Sequence, residues 1–132
     1  MPLKITLKPY EKFILGRAVI TNGDAKSVFV VENDVPILRE KDILSLEAAD
    51  TPCRKIYFAI QLMYVDNKNL PDHHKTFWEL VKDVVEAAPS TKPILHDISE
   101  NILNERYYQA LKLTKKLIGY EREIINHVRS AN

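Results

Sequence analysis

The chain has 132 residues, 45 % hydrophobic and 28 % charged, enough for one domain with a real core or one domain with a small appended part. Nineteen basic residues against eighteen acidic ones leave a net charge of +1, which excludes a global field drawing the chain onto nucleic acid or membrane and confines any such contact to a local patch. The single cysteine excludes an internal disulfide framework and a multi-cysteine metal site, as in proteins of a reducing cytoplasm.

Met1-Pro2-Leu3-Lys4 lacks the apolar run of a signal peptide, so the expectation is a soluble, cytoplasmic protein that does not engage membrane. Residues 3–8 alternate apolar and polar side chains, the period of a half-buried strand with Leu3, Ile5 and Leu7 on the core and Lys4, Thr6 and Lys8 in water. Pro9-Tyr10-Glu11 reads as a turn before Lys12-Phe13-Ile14-Leu15; Gly16 breaks that run, and Ala18-Val19-Ile20-Thr21 continues in strand-forming residues. Asn22-Gly23-Asp24 predicts a hairpin turn, because Asn and Gly both tolerate positive φ, with residues 27–32 as the returning strand. Asn33-Asp34 is the next turn and residues 35–40 a last strand, where Pro36 marks a sheet edge. Residues 1–48 therefore read as a small antiparallel sheet or partial barrel of roughly four or five strands.

Residues 40–49 connect this region to the central segment, residues 50–65. Pro52 suits the first helical position, and Asp50 or Thr51 suits the cap before it. From Ile56 to Val65 only Gln61 is strongly polar; a helix apolar all round belongs in a core, and this one falls short of the about 20 residues that span a bilayer. Arg54 and Lys55 sit at the positive end of the helix dipole, where each cation is disfavoured by about 0.3–1 kcal/mol. Free N–H groups and two cations make an anion site, suited to phosphate; the other reading has Glu47 and Asp50 neutralising the cations as surface ion pairs. The same setting lowers a thiol pKa at Cys53, which has no base beside it to make a nucleophile.

Residues 72–88 predict a second helix, with Phe77, Leu80, Val81, Val84, Val85 and Ala88 on one face and Trp78 just off it, as rim packing or a partner contact. Pro89-Ser90-Thr91-Lys92-Pro93 breaks the chain. From Ile94 one apolar stripe runs through Ile98, Ile102, Tyr107, Ala110, Leu111, Thr114, Leu117, Ile118, Ile124, Ile125 and Val128. Unbroken, it would reach roughly 50 Å, so it either kinks near Asn104 or Gly119 or projects and pairs with another chain; Thr114 and Glu121 weaken a coiled-coil seam. Residues 49–132 thus read as three to four helices, the last one long, packed as one unit with the sheet in an α+β fold.

Chemistry is sparse. The chain has no G-x-S-x-G, no phosphate-binding glycine loop, no H-E-x-x-H and no C-x-x-C, so neither an enzyme nor a cofactor nor a metal is expected. His73-His74 open the second helix, but adjacent helical residues point in different directions, which favours capping over metal ligation; His96 and His127 read as surface residues. The suggestive feature is a basic series, Lys4, Lys8, Lys12, Arg17, Arg39, Lys41, Arg54 and Lys55, able to follow a phosphate backbone. Lysines on exposed strands also block edge-to-edge pairing, and Glu11, Asp24, Glu32, Asp34, Glu40 and Asp42 cancel the field if they share that face.

Met1-Pro2-Leu3-Lys4-Ile5 with Leu7-Lys8-Pro9, Glu11-Lys12-Phe13, Ala18-Val19-Ile20-Thr21-Asn22-Gly23, Leu38-Arg39-Glu40-Lys41-Asp42-Ile43-Leu44, Asp50-Thr51-Pro52, and Arg54-Lys55-Ile56-Tyr57-Phe58-Ala59 with Gln61-Leu62-Met63-Tyr64 resemble the flagellum biosynthesis repressor family, FlbT. The motifs are dense up to about residue 65, and the helical remainder matches in layout. The resemblance implies a post-transcriptional regulator of flagellin synthesis that associates with the 5′ untranslated region of flagellin mRNA, controls its translation or decay, and works with a small helical companion, FlaF. On that reading Arg39, Lys41, Arg54 and Lys55 contact phosphates, with Lys4, Lys8 and Arg17 as outer contacts. Phe13, Phe29, Tyr57 and Phe58 look mostly buried by pattern, which weakens direct base stacking. The alternative is a chaperone-like protein-interaction module, whose long helix binds FlaF, flagellin or a second copy through Tyr107, Leu111, Leu117, Ile118 and Ile124 and affects RNA only indirectly.

Overall fold

The N-terminal alternation does produce strands, and the way they pair differs from the order in which they follow one another. The computed structural model describes residues 2–131, which divide into two units between Ile43 and Leu44. Met1, where the segment read for a leader begins, and Asn132 lie outside the described residues.

The first unit holds β1 (Leu3–Leu7), β2 (Lys12–Leu15), β3 (Ala18–Thr21), β4 (Ser27–Val31) and β5 (Ile37–Arg39), in two antiparallel sheets of order β1-β4 and β3-β2-β5. Gly16 supplies the tight β2–β3 connection at φ +63°, and its N–H donates to the Pro36 carbonyl at 2.8 Å. The expected hairpin at Asn22-Gly23 does not form. β3 pairs with β2, and β4 crosses to β1, setting Phe29 opposite Ile5. Asn22 explains the divergence: it is 8 % exposed, its Nδ2 donates to the carbonyls of Lys8 (2.8 Å) and Ala25 (3.0 Å), and its Oδ1 accepts from the Gly23 N–H at 2.9 Å. The segment closes on the β1–β2 turn instead of folding back on itself.

Ile5, Leu7 and Phe13 form the core of this unit, with Leu15, Ile20, Val31 and Ile37 packed around them. Leu3, expected inside, is exposed at the end of the two-stranded ribbon, opposite Val31. Phe29, also expected inside, keeps 43 % of its surface exposed, its ring 6.1 Å from that of Phe13. Val28 and Val30 lie opposite Thr6 and Lys4 on the outer face of the ribbon and are exposed.

The second unit is helical: α1 (Pro52–Val65), α2 (Leu70–Ala87), α3 (Lys92–Leu103) and α4 (Tyr107–Ala131). Local chemistry starts α1 as expected, with Pro52 in the first turn and Thr51 Oγ1 accepting from the Arg54 N–H at 3.2 Å. Ile56, Ile60 and Met63 are fully buried where α1 meets α2 and α4, whereas α3 packs mainly on α4. Gln61, the polar exception, is buried and satisfied: its Oε1 accepts from the Leu44 N–H at 2.8 Å and its Nε2 donates to the Leu44 carbonyl at 2.9 Å. The connector is thereby tied to the helix.

The long stripe breaks at residues 104–106 and nowhere else. Glu105 takes φ +57°, and the Arg106 N–H reaches back to the Asn101 carbonyl at 2.7 Å, closing the end of α3. Gly119 stays inside α4. Thr114, read as a weak point, is fully buried because its hydroxyl donates to the Ala110 carbonyl at 2.7 Å. At 25 residues α4 is about 38 Å long, and its apolar stripe runs out into solvent at Ile125 and Val128.

Candidate functional site

The turn between β1 and β2 carries the most elaborate polar geometry of the first unit. The Glu11 N–H donates to the Lys8 carbonyl at 3.1 Å, and Glu11 Oε1 accepts from the Lys8 N–H at 2.9 Å, so the turn is pinned from both ends. Across it, the Tyr10 N–H donates to the Gly23 carbonyl (2.8 Å) and the Asn22 N–H to the Glu11 carbonyl (2.9 Å). Tyr10 is held at φ +60°, a left-handed conformation uncommon for a bulky residue. Arg39, from β5, lays its guanidinium over this turn: Nη2 donates to the Thr6 carbonyl at 2.7 Å and to Glu11 Oε2 at 3.1 Å, and Nε donates to the same oxygen at 3.3 Å. The Lys8 N–H, and after it the Arg39 guanidinium, hold the Glu11 carboxyl below its ordinary pKa against partial burial. Glu40, one residue on, accepts from the Lys12 N–H at 3.0 Å through Oε1.

These residues wall an open cleft of about 700 Å³, lined by Lys8, Tyr10, Glu11, Arg39, Glu40 and Lys41. Of the basic residues singled out above, the cleft brings together Lys8, Arg39 and Lys41. Lys8 and Lys41 are exposed, whereas Arg39 is half-buried and committed to Glu11 and Thr6. Lys4 stands on the exposed face of β1, and Arg17 is exposed in the β2–β3 turn.

Arg54 and Lys55 belong to the helical unit. Arg54 Nη1 pairs with Asp50 Oδ1 at 2.8 Å, the ion-pair reading of this turn, and the guanidinium holds the Asp50 carboxyl below its ordinary pKa. Lys55 is exposed at the mouth of a smaller pocket of about 260 Å³ with Phe58, Leu62 and Leu80. The anion site expected at the start of α1 is filled from within the chain. Glu121, from α4, accepts the Thr51 hydroxyl on Oε1 at 2.6 Å and the Cys53 N–H on Oε2 at 3.0 Å. This reverses the expectation for Cys53: burial first, and then the Glu121 charge, push its thiol from an ordinary value of 9.0 up to about 12.

On the predicted partner stripe, Leu111 and Leu117 are buried in the helical core, and Tyr107, Ile118 and Ile124 are half-buried. Ile124 and the more exposed Ile125 border an apolar cleft of about 420 Å³ with Val84, Ala87 and Ala88. Trp78 stays 41 % exposed, its indole edge-on to the Phe77 ring at 5.0 Å. His73 does not cap α2, which starts at Leu70 with no side-chain cap bond; its Nε2 instead lies 3.2 Å from Asp66 Oδ2, and His96 and His127 are exposed. Among the described residues no helix is long and apolar enough to cross a membrane.

Two residues take places in the structure that were not read from the sequence. Tyr10 is flagged only by an aromatic after proline in a turn with lysines on both sides. Glu121 is flagged only as a carboxylate on an apolar stripe, which reads equally well as a flaw in packing.

A family profile described as "Flagellar protein FlbT" matches residues 3–125. The chain is 47 % identical over 128 residues to the "Probable flagellum biosynthesis repressor protein FlbT 1" of Bradyrhizobium diazoefficiens, covering 94 % of this chain and 85 % of that one. It is 40 % identical over 126 residues to the "Probable flagellum biosynthesis repressor protein FlbT" of Rhodopseudomonas palustris, covering 96 % and 99 %. It is likewise 40 % identical over 133 residues to the "Flagellum biosynthesis repressor protein FlbT" of Caulobacter vibrioides, covering 98 % and 94 %. No solved structure matches the chain.

Proposed function

The chain belongs to the FlbT family of flagellar proteins, and from that premise we propose that it regulates flagellin synthesis after transcription, by associating in the cytoplasm with the 5′ untranslated region of flagellin mRNA and controlling its translation or decay. The names of its relatives describe repressors of flagellum biosynthesis and name no reaction, which supports a regulator.

The observation that carries the RNA reading is the cleft lined by Lys8, Arg39 and Lys41. Of its two carboxylates, Glu11 is drawn into the fold by the Lys8 N–H and Arg39, whereas Glu40, which accepts from the Lys12 N–H, stays exposed and offsets part of the positive charge. The lysine ammoniums remain on the rim, with Lys4 and Arg17 exposed elsewhere on the unit as outer contacts. Arg39 then acts mainly as the brace of the cleft, and Arg54 and Lys55 are a separate contact on the helical unit. With a net charge of +1, affinity rests on few phosphates, so selectivity has to come from the shape of the leader or from a partner.

A second reading, a module that binds a FlaF-like companion, flagellin or a second copy, is favoured by the exposed end of α4 at Ile125 and Val128 beside the apolar cleft. One experiment separates the two: titration of the full chain with a flagellin 5′ leader across a salt series, with and without the companion. Binding by the chain alone, with log affinity falling by about 0.7 per logarithm of salt for each phosphate contacted on a single strand, supports the cleft. Binding only with the companion moves the function to the helical unit, and no binding in either arm refutes the RNA reading.

A further inference from the structure

We propose that Tyr10 is a stacking platform for an unpaired base of single-stranded RNA, with Lys8 and Lys41 holding the phosphates on either side. The inference rests on the RNA reading above and deepens it by naming the nucleotide-contacting residue.

Phe13, in β2, is core at 3 % exposure, whereas Tyr10, in the turn that precedes it, is 66 % exposed. Its backbone is held in the left-handed region by bonds on both sides, the Tyr10 N–H to the Gly23 carbonyl at 2.8 Å and the Glu11 N–H to the Lys8 carbonyl at 3.1 Å. A bulky residue persists in that conformation only where its surroundings over-determine it, and such residues cluster at binding sites. Here three polar networks converge on the turn: the Asn22 amide, the Glu11 carboxylate and the Arg39 guanidinium. The outcome is a ring on a rigid base at the edge of a cleft whose volume of about 700 Å³ admits a nucleotide.

The chemistry of the rim selects the ligand. A π face on a cleft lined by Lys8 and Lys41, whose two positive charges outnumber the one exposed carboxylate of Glu40, matches a base flanked by phosphates, the pairing by which single strands are gripped without sequence readout. Duplex RNA hides its base faces in the stack, so an unpaired loop or end is the form that fits. An apolar protein partner would leave Lys8 and Lys41 facing nothing of opposite charge. Stacking tolerates every base, so this site supplies grip and register, with a preference for the larger purine faces.

The test uses the full chain and a fluorescent single-stranded flagellin leader segment. Tyr10→Asn removes the ring while keeping a residue that tolerates left-handed backbone; it is expected to weaken binding about 5- to 150-fold with the salt slope unchanged. Tyr10→Phe should bind like the parent. Lys41→Ala should lower the salt slope by about 0.7. Tyr10→Asn binding like the parent while Lys41→Ala is weakened overturns the platform and leaves the RNA reading standing. Loss of companion binding with RNA binding intact makes Tyr10 a protein contact and also overturns it. No RNA binding by the parent refutes the reading on which the inference rests. Photocrosslinking of a bromouridine-substituted leader to the parent chain needs no variant: adducts in the peptide carrying Tyr10 support the assignment, and adducts confined to other peptides reject it.

Discussion

Replacing Glu121 tests whether the charge expected from outside at the start of α1 is already supplied from within. Its carboxylate accepts the Thr51 hydroxyl at 2.6 Å and the Cys53 N–H at 3.0 Å. Glu121→Ala leaves both donors without that acceptor in a half-closed setting. Each unsatisfied buried donor costs about 1–3 kcal/mol, and the lower part of that range applies where water can reach, which gives about 2–3 kcal/mol together. Loss of the charge–dipole interaction adds about 0.3–1 kcal/mol. For a chain between the small and large size classes one kcal/mol is worth about 3–5 °C, so the melting temperature should fall by about 7–20 °C. Glu121→Gln keeps one acceptor oxygen but loses the charge, and should fall by about half as much. The assay is thermal unfolding followed by circular dichroism at 222 nm, with labelling of Cys53 by a thiol reagent at neutral pH as a second readout. Cys53 lies beneath the carboxylate and is 2 % exposed, so Glu121→Ala should speed labelling. An alanine variant that melts within about 1 °C of the parent and keeps its thiol protected would refute the reasoning, because the carboxylate would then hold nothing.

The remaining predictions are shorter. The Cys53 thiol stays protonated in the folded chain up to about 12 while the unfolded thiol ionises near 9.0. Its contribution is therefore complete below the unfolded value and is lost as pH rises between the two; the alkaline limb of a pH–stability curve should flatten in Cys53→Ala, and an unchanged limb would contradict the burial argument. The Glu11 carboxyl is held below its ordinary 4.5, so the stability it contributes is present above that value and fades as pH falls through the folded one. Arg39→Ala should move the acid midpoint upward, and a midpoint that stays put would show the pair to be idle. Leu117 is fully buried, so Leu117→Asp should unfold the helical unit, at about 3–5 kcal/mol for an uncompensated buried charge, and a fold intact by circular dichroism would contradict its placement in the core. Val128→Asp, on an exposed position, should stay within about 0.5 kcal/mol of the parent and abolish capture of a FlaF-like companion if the α4 end is the partner surface.

What the sequence determined by itself is what neighbouring residues decide among themselves. The alternation of residues 3–8 made β1, Pro52 after Thr51 started α1 in the register expected, and the 3.6-residue period carried the buried faces of α2, α3 and α4. These rest on steric and hydrogen-bonding preferences a few residues in range, so a single chain displays them openly. The aligned motifs carried the family in the same way, as fixed residue types at fixed spacing.

The rest depended on partners distant in sequence. Asn22-Gly23 carries a hairpin signal, yet β4 pairs with β1, and the Asn22 amide ties the β1–β2 turn at the Lys8 carbonyl to its own segment at the Ala25 carbonyl. Two positions in the final stripe invited a break, and Asn104 was used because Glu105 and Arg106 close the end of α3 there, while Gly119 lies within α4. The start of α1 looked open to an external anion, and a carboxylate some seventy positions away occupies it. Tyr10 could have been core or surface by composition; three converging hydrogen-bond networks turned it outward. In each case local propensity leaves two states close in energy, and contacts worth a few kcal/mol that only the folded chain brings together choose between them.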